Sequence, residues 1–488
     1  MKTIKEIRKN RLEKIGKIAK IQSTAYPEKT KRTHQIKEVL SSFSSLSKTK
    51  KEVILVGRMK SLRGHGGSTF LDIVDGSGKI QAFLRKDRVG EKKYDFFLDV
   101  FDVGDFLELR GTLFITKKGQ KTLEVADYKL LAKSLLPLPE KWHGLKDVEE
   151  RFRKRYLDLV FNPDVKKSFE LRSKIIKEIR GFMDKKGFLE VETPSLQPLY
   201  GGASAKPFKT HLNALDMDLY LRIAPELYLK RLLVGGFEKV YEIGKCFRNE
   251  GMDRSHNPEY THFEFYWAYS DHKDLMKFIE EMFVMVIKNT LGRLEIEYKG
   301  KKINFKAPWL RVEFDKFLKK ETGIDFYDIN EEAMKKEAKK LGVKTDKRDG
   351  KIEIADKIFK KYCQPKIWNP TFIIHHPLEA KPLAKSLEKN PSKSASLQLI
   401  VANWELINAY AELNDPVEQK KRFESQEKLF KSGLEDAQRV DEDYIEALEY
   451  GMPPTGGFGM GIDRFISLLT NAHSLREVIL FPTMKNKE

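Results

Sequence analysis

Residues 240–271, VYEIGKCFRNEGMDRSHNPEYTHFEFYWAYSD, leave the chain few folds to adopt. From Thr261 to Trp267 the residues alternate, so on a strand His262, Glu264 and Tyr266 share one face and Phe263, Phe265 and Trp267 the other. A period of two with three aromatics on one side predicts a strand that packs on one face and stays accessible on the other. The incoming run is a second strand on which Arg248 falls in phase with Glu242, and the loop between them adds Glu250, His256 and Tyr260. Arginine, histidine, carboxylates and an exposed aromatic suit a ligand bearing both phosphate and base. A surface hairpin with solvated charges is the plainer alternative for this segment alone.

At 488 residues the chain is too long for one ordinary core, and 40% hydrophobic residues mark it as globular. No run is long enough to span a bilayer, and MKTIKEIRKNRLEKI lacks the apolar stretch of a secretion signal, so a soluble, cytoplasmic protein without a membrane partner is expected. Cys246 and Cys363, the only cysteines, are too few for a disulfide framework or a zinc cage and read as buried thiols. The formal charge of +19 favours a polyanionic partner, although charge alone does not separate this from simple solubility.

Residues 1–49 are basic with helical spacing at Ile4, Ile7, Leu12 and Ile15, followed by SSFSSLSKTKK, which reads as a linker. Five short alternating segments separated by turn residues then predict a small barrel of the oligonucleotide-binding kind over residues 50–135. LPLPEKWHGL begins a stiff connector over 136–160. From 161 to 488 long helices alternate with strands, as in SFELRSKIIKEIRGFMDKKGF, whose apolar stripe stops at Gly187. The Lys/Glu-rich stretch 295–370 reads as an inserted helical module, and the whole as α+β.

Two further segments carry chemistry. SLQLIVANWELINAYAELND predicts a hairpin turning near Ala402 and Asn403, with Gln398 opposite Glu405 and with Asn408, Tyr410 and Glu412 on one face. Glu405 beside a phosphate-binding arginine is a plausible magnesium ligand, and a hairpin with a wet polar face is the bland alternative. In GGFGMGIDR, Gly457, Gly459 and Gly461 permit close backbone approach, and Arg464 sits in the first helical turn, poorly placed for the helix dipole and well placed for a phosphate. Neither a GxxxxGK[ST] loop nor a properly spaced GxGxxG is present.

GFLEVETP, the run FRNEG through HNPEYT to EFYWAY, and GFGMGIDR resemble, in order, the three motifs of class II aminoacyl-tRNA synthetases, and in detail the lysyl members. LPLPEKWHGL, RKRYLDL and NAYAELNDP extend the resemblance from about residue 50 to the end of the sequence. It implies an anticodon-binding barrel and a catalytic domain with an antiparallel sheet of six or seven strands flanked by helices. The implied activity is a lysine–tRNA ligase: lysine and ATP give lysyl-adenylate and pyrophosphate, and lysine then passes to the 3′-end of tRNA(Lys). An aspartyl- or asparaginyl-tRNA synthetase and a non-catalytic tRNA-binding paralogue are the rival readings.

The resemblance also implies roles. Arg248 clamps the α-phosphate and the lysine carboxylate, His256 and Arg464 the outer phosphates; Tyr260 stacks beneath adenine and Arg464 above it, and Glu250 belongs to the ATP site. Glu405 holds Mg²⁺, the implied cofactor. Gly202, Glu226 and Glu264 hold the lysine α-amino group, Asn408 its carboxylate, and Tyr266 with Glu412 its ε-ammonium. Phe70, Gln81 and Arg58 contact the anticodon, and Pro194 is the dimer-interface proline of an expected homodimer. One departure stands out: Gln398 occupies the place of a second magnesium-binding glutamate; its carbonyl can ligate magnesium but brings no charge, so a raised magnesium requirement is expected.

Overall fold

The computed structural model describes residues 3–139, 145, 147–203, 205–346, 348–431 and 439–486. Part of the LPLPEKWHGL connector (140–144), Ser204 of GGASA and the last two residues of MKNKE lie outside the described residues. The chain divides into two compact units, residues 1–144 and 145–488.

In the first unit the five alternating segments become β1 (Val53–His65), β2 (Ser68–Val74), β3 (Lys79–Arg85), β4 (Phe106–Ile115) and β5 (Lys121–Ala132). They close into a barrel in the order β1-β2-β3-β5-β4, with only β3 and β5 parallel. Alternation sends Val53, Leu55, Leu71, Ile73, Ile80, Ala82 and Leu109 inward. At Gly111, where the β4 register shifts, a Cβ would lie 1.9 Å from the Glu124 carbonyl oxygen, so closure there requires glycine.

The first 49 residues are not a separate extension. Ile18, Ala25, Ile36, Val39 and Phe43 belong to the same apolar cluster as the barrel strands. The serine-rich run, expected to be a linker, is the helix Phe43–Thr49, and Phe43 is fully buried. Composition obscured this because only two apolar residues among the serines, Phe43 and Leu46, carry the packing contact.

In the second unit an eight-stranded sheet contains β6 (Leu189–Glu190), β7 (Lys239–Phe247), β8 (Glu259–Ala268), β9 (Leu310–Glu313), β10 (Thr371–Ile374), β11 (Ser396–Val401), β12 (Trp404–Ala411) and β13 (Thr455–Gly461). The order is β9-β10-β11-β12-β13-β8-β7-β6. The six central strands are antiparallel, and the two edge strands β9 and β6 pair parallel to their neighbours. The edges thus extend the six or seven strands expected to eight. Helices Pro163–Lys185, His272–Leu291 and Ile462–Leu469 contribute to the core on one face, where Ile175, Phe182, Ile279 and Phe283 pack with Phe263, Phe265, Phe458 and Met460. On the opposite face Tyr266 and Tyr410 pack in part against Leu227, Phe423 and Tyr444 of neighbouring helices.

Two expectations change here. Residues 148–160, assigned to the connector, lie in helices Val148–Arg153 and Arg155–Phe161, and the latter buries an Arg155–Asp158 ion pair at 2.7 Å. Residues 295–370 are helical only in the middle, at Phe314–Thr322, Glu331–Lys340 and Lys351–Tyr362. Their start is a hairpin, Glu295–Tyr298 with Lys301–Asn304, followed by β9 of the main sheet. Each of these strands is only four residues long, so even the clean alternation of Glu295–Tyr298 is too short to stand out among the Lys/Glu-rich helices.

The β11–β12 hairpin turns tightly at Ala402 and Asn403, both with positive φ, as a two-residue loop demands. Val401 therefore faces Trp404 and Ile400 faces Glu405; a bulge then shifts the register so that Gln398 faces Asn408. The expected pairing of Gln398 with Glu405 is thus corrected: the position of the turn sets Glu405 opposite Ile400, and the bulge carries Gln398 one residue further, to Asn408. No helix among the described residues is long and apolar enough to cross a membrane.

Candidate active site

The free face of β8, β13 and β12 lines a cavity of about 380 Å³, closed at the sides by the β7–β8 loop and the start of helix Glu226–Val234. The middle strand, β13, is the glycine-rich segment. Gly459 pairs with both Glu264 and Asn408, and Gly457 with both Tyr266 and Tyr410. A strand without side chains on that face lets its two neighbours point their polar groups into one space. The fit is tight, since a Cβ on Gly457 would lie 1.9 Å from Glu412 Oε1 and 2.6 Å from Tyr266 Cε1.

One end of the cavity is cationic. The Arg248 guanidinium carbon lies 5.4 Å from the centre of the Tyr260 ring, and its buried Nε has no hydrogen-bond partner. Arg464 donates from Nη1 to the Glu405 carbonyl oxygen at 2.9 Å, and its Nη2 lies 3.2 Å from His256 Nε2. His256 Nδ1 rests 3.0 Å from Asp253; burial raises that carboxyl, but His256 and the Ser255 N–H and hydroxyl outweigh it and hold it at about 2. Arg464 is placed by its neighbour: buried Asp463 accepts from Arg172 and from the Thr261 N–H, fixing the helix start against β8. Glu250 also lines the cavity, and its Oε1 accepts from the Lys206 N–H at 3.3 Å.

The other end is acidic. Glu226, Glu264 and Glu412 are all buried. Tyr266 donates to Glu264 at 2.6 Å, His262 lies 3.0 Å from the same carboxylate, and Tyr410 donates to Glu226 at 2.8 Å. Gly202, with φ +81, approaches so closely that a Cβ would meet Glu226 Cβ at 2.7 Å. Lys230, fully buried, pairs with Glu226 at 2.6 Å and with Glu412 Oε2, and lies 5.7 Å from the Tyr266 ring centre. Glu412 Oε1 has no hydrogen-bond partner. Burial raises the Glu412 carboxyl well above the usual range and Glu226 above it, with Lys230 opposing both. Burial pushes Lys230 down, but the two carboxylates overcome it and hold the ammonium well above the ordinary lysine value.

Every residue expected at the lysine and ATP positions lines this one cavity. Sequence reasoning missed Lys230 and Lys381. The first had a signal, a lysine four residues after Glu226 on a helix. The second had none, because Lys381 follows the short turn Leu378–Ala380 outside any periodic element.

For a metal, the donors are sparse: no group of three His, Cys, Asp or Glu capable of holding one occurs among the described residues. Glu405 fits a magnesium ion that takes its remaining ligands from phosphates and water. Gln398 brings no charge, and its Oε1 lies 3.0 Å from His376 Nε2. Burial keeps that histidine neutral, and its Nδ1 faces the Ser396 hydroxyl, so Nε2–H donates to the carbonyl and leaves one lone pair for a metal.

On the outside of the barrel, Phe70 stacks on Phe83 at 4.3 Å and Gln81 stands opposite Asp72, its Oε1 accepting from Thr122. Arg63 and Lys79 flank them through Asp72. Arg58 does not join this patch. It lies five residues from Arg63 along β1, with its guanidinium 4.2 Å over the Phe106 ring and a hydrogen bond to the Gly104 carbonyl oxygen. Pro194 is exposed, near the half-exposed Leu189 and Leu196.

A largely antiparallel sheet whose arginine-bearing hairpin, glycine strand and Arg464 helix surround one cleft, on a chain that also carries an OB-type barrel, defines a class II aminoacyl-tRNA synthetase. The chain belongs to the family described as tRNA synthetases class II (D, K and N), whose model matches residues 147–485. Residues 53–134 match the OB-fold nucleic acid binding domain. Among curated proteins it is similar to a lysine–tRNA ligase of Carboxydothermus hydrogenoformans, 50% identical over 450 residues and 92% of each chain. It is also similar to a lysine–tRNA ligase of Pelotomaculum thermopropionicum, 51% identical over 90% of this chain and 87% of that one. A lysine–tRNA ligase of Aquifex aeolicus is 52% identical over 89% of this chain and 73% of its own.

Proposed function

We infer that the protein activates L-lysine with ATP and transfers it to the 3′-end of tRNA(Lys). The observation that carries the specificity is the buried, unpartnered Glu412 Oε1 at the acidic end of the cavity. Three carboxylates with one resident ammonium carry two negative charges when all are ionised, the complement of an α- and an ε-ammonium. An uncharged or anionic side chain would leave Glu412 buried and unpaired, a mismatch that discriminates by about 10⁴ or more. Aspartate and asparagine are disfavoured on that ground.

In this reading Glu226 and Glu264 hold the α-ammonium beside Gly202, Tyr266 and Glu412 the ε-ammonium, and Asn408 the carboxylate. Arg248 bridges that carboxylate and the α-phosphate, keeping the two in line and spreading the charge that develops. A lysine carboxylate oxygen bonds to the α-phosphorus as the bond to the bridging oxygen breaks and pyrophosphate leaves. The tRNA 3′-hydroxyl then attacks the lysyl carbonyl, losing its proton as AMP departs. His256 and Arg464 bind the outer phosphates, Tyr260 and Arg464 enclose adenine, and Glu250 completes the ATP site. Magnesium, when bound at Glu405 and the phosphates, supplies charge to the leaving pyrophosphate.

The barrel patch at Phe70 and Gln81 reads the anticodon, the protein acts in the cytoplasm, and Pro194 lies in a homodimer interface with Leu189 and Leu196. Arg248→Ala tests the core of the reading. Loss of lysine-dependent pyrophosphate exchange with the fold intact is expected, and near-wild-type exchange would overturn it.

A further inference from the structure

Lys381 projects into the same cavity from outside the three motifs, and its ammonium donates to Asn408 Oδ1 at 3.1 Å. The charged groups around it are Glu405 and Asp356, both attracting, and Lys360, repelling. Lys360 is itself paired with Asp356 at 2.6 Å. Burial pushes the Lys381 ammonium below the ordinary lysine value, with Glu405 and Asp356 opposing, so an incoming anion would relieve it. Across from Asn408 in the register stands Gln398, neutral and with its carbonyl engaged by His376.

A glutamate at that place together with a dication would carry one net positive charge. A glutamine with a resident ammonium carries the same charge and needs no metal. Resting on the synthetase reading, we propose that the Lys381 ammonium leaves Asn408 when substrates bind and contacts a non-bridging phosphate oxygen of ATP, taking the electrostatic place of a second metal ion. The move frees Asn408 for the lysine carboxylate. It also reverses the sequence expectation, since an enzyme with a built-in cation requires less magnesium beyond that carried by ATP.

The test uses the full chain with L-lysine and α,β-methylene-ATP, counting bound Mn²⁺ by electron paramagnetic resonance. The wild type is expected to bind one Mn²⁺ fewer per site than Lys381→Ser/Gln398→Glu. With metal chelated, Lys381→Met is expected to weaken binding of the ATP analogue about tenfold or more, and Lys381→Arg to restore most of it. Equal Mn²⁺ counts in wild type and double variant, or unchanged nucleotide affinity in Lys381→Met, would overturn the proposal. Lysine-dependent pyrophosphate exchange by the wild type is measured in parallel. Its absence sinks the synthetase reading, whereas exchange with equal counts sinks the role of Lys381 alone.

Discussion

The Lys230 ammonium lies 2.6 Å from Glu226 Oε1, one helical turn away, and both side chains are buried. Because Lys230 also pairs with Glu412, one internal cation joins carboxylates that come from a helix and from the end of a strand. The pocket is thereby held together before any substrate arrives, with one carboxylate oxygen of Glu412 left over.

Removing that cation should damage both fold and specificity. Lys230→Met keeps most of the volume but leaves two carboxyl groups facing each other without a counter-ion, and breaking such a buried pair costs about 3–5 kcal/mol. A lower melting temperature in calorimetry is expected, along with a raised KM for lysine in pyrophosphate exchange and an unaltered KM for ATP. An unchanged melting temperature would show that Lys230 is not a structural counter-ion.

The raised carboxyls of Glu412 and Glu226 give lysine binding a pH dependence of fixed sign. In the free protein burial favours their protonated forms; two incoming ammonium groups favour the ionised ones, so binding releases protons. Affinity for lysine therefore rises with pH through the free protein's raised values and falls as pH drops below them. Calorimetric titration of lysine in buffers of different ionisation enthalpy checks the direction. Proton uptake instead of release would contradict the assigned ionic pairing.

Much of this arrangement was legible in the sequence because the site is built from strands. Alternation along β8 placed His262, Glu264 and Tyr266 together, and the glycines of β13 signalled a close approach, since both rest on the fixed period of a strand. Register was less legible. The turn at Ala402 and Asn403 sets Glu405 opposite Ile400, and one bulge then moves Gln398 on by a residue to Asn408, a shift that leaves little trace in side-chain pattern. Lys381 was hidden because it lies outside any periodic element, and Lys230, although four residues after Glu226, reads as half of an ordinary surface pair until its burial is known. The same holds for Phe43, whose serine-rich surroundings concealed a core position.

The outer face of the barrel separates two kinds of contact. Phe70→Ala removes a ring from the Phe70–Phe83 stack and changes no residue that lines the cavity. Stacking a base on an aromatic contributes on the order of 1–3 kcal/mol, so KM for tRNA is expected to rise correspondingly while pyrophosphate exchange is unchanged. Gln81→Ala should act in the same direction. Arg58→Ala, lying over Phe106 and away from Phe70, should affect barrel stability more than tRNA charging. Equal loss of charging and exchange in Phe70→Ala would point to misfolding of the unit.

Gly457 tests whether β13 is the floor of the lysine pocket. Its two cross-strand neighbours, Tyr266 and Tyr410, come from opposite sides, and an added Cβ would strike Glu412 Oε1 first, at 1.9 Å. Glu412 cannot simply swing away, because its other oxygen is bound to Lys230. Overpacking of this kind costs about 1–3 kcal/mol, and here it falls on the carboxylate that pairs with the ε-ammonium. Gly457→Ala is therefore expected to raise KM for lysine about tenfold or more, leaving KM for ATP near its original value. Gly461→Ala is the contrast, since its Cβ meets no atom within 4 Å, and lysine binding is expected to survive it. Steady-state exchange kinetics on the two variants distinguish them, and an unaltered lysine KM in Gly457→Ala would place the side-chain pocket elsewhere.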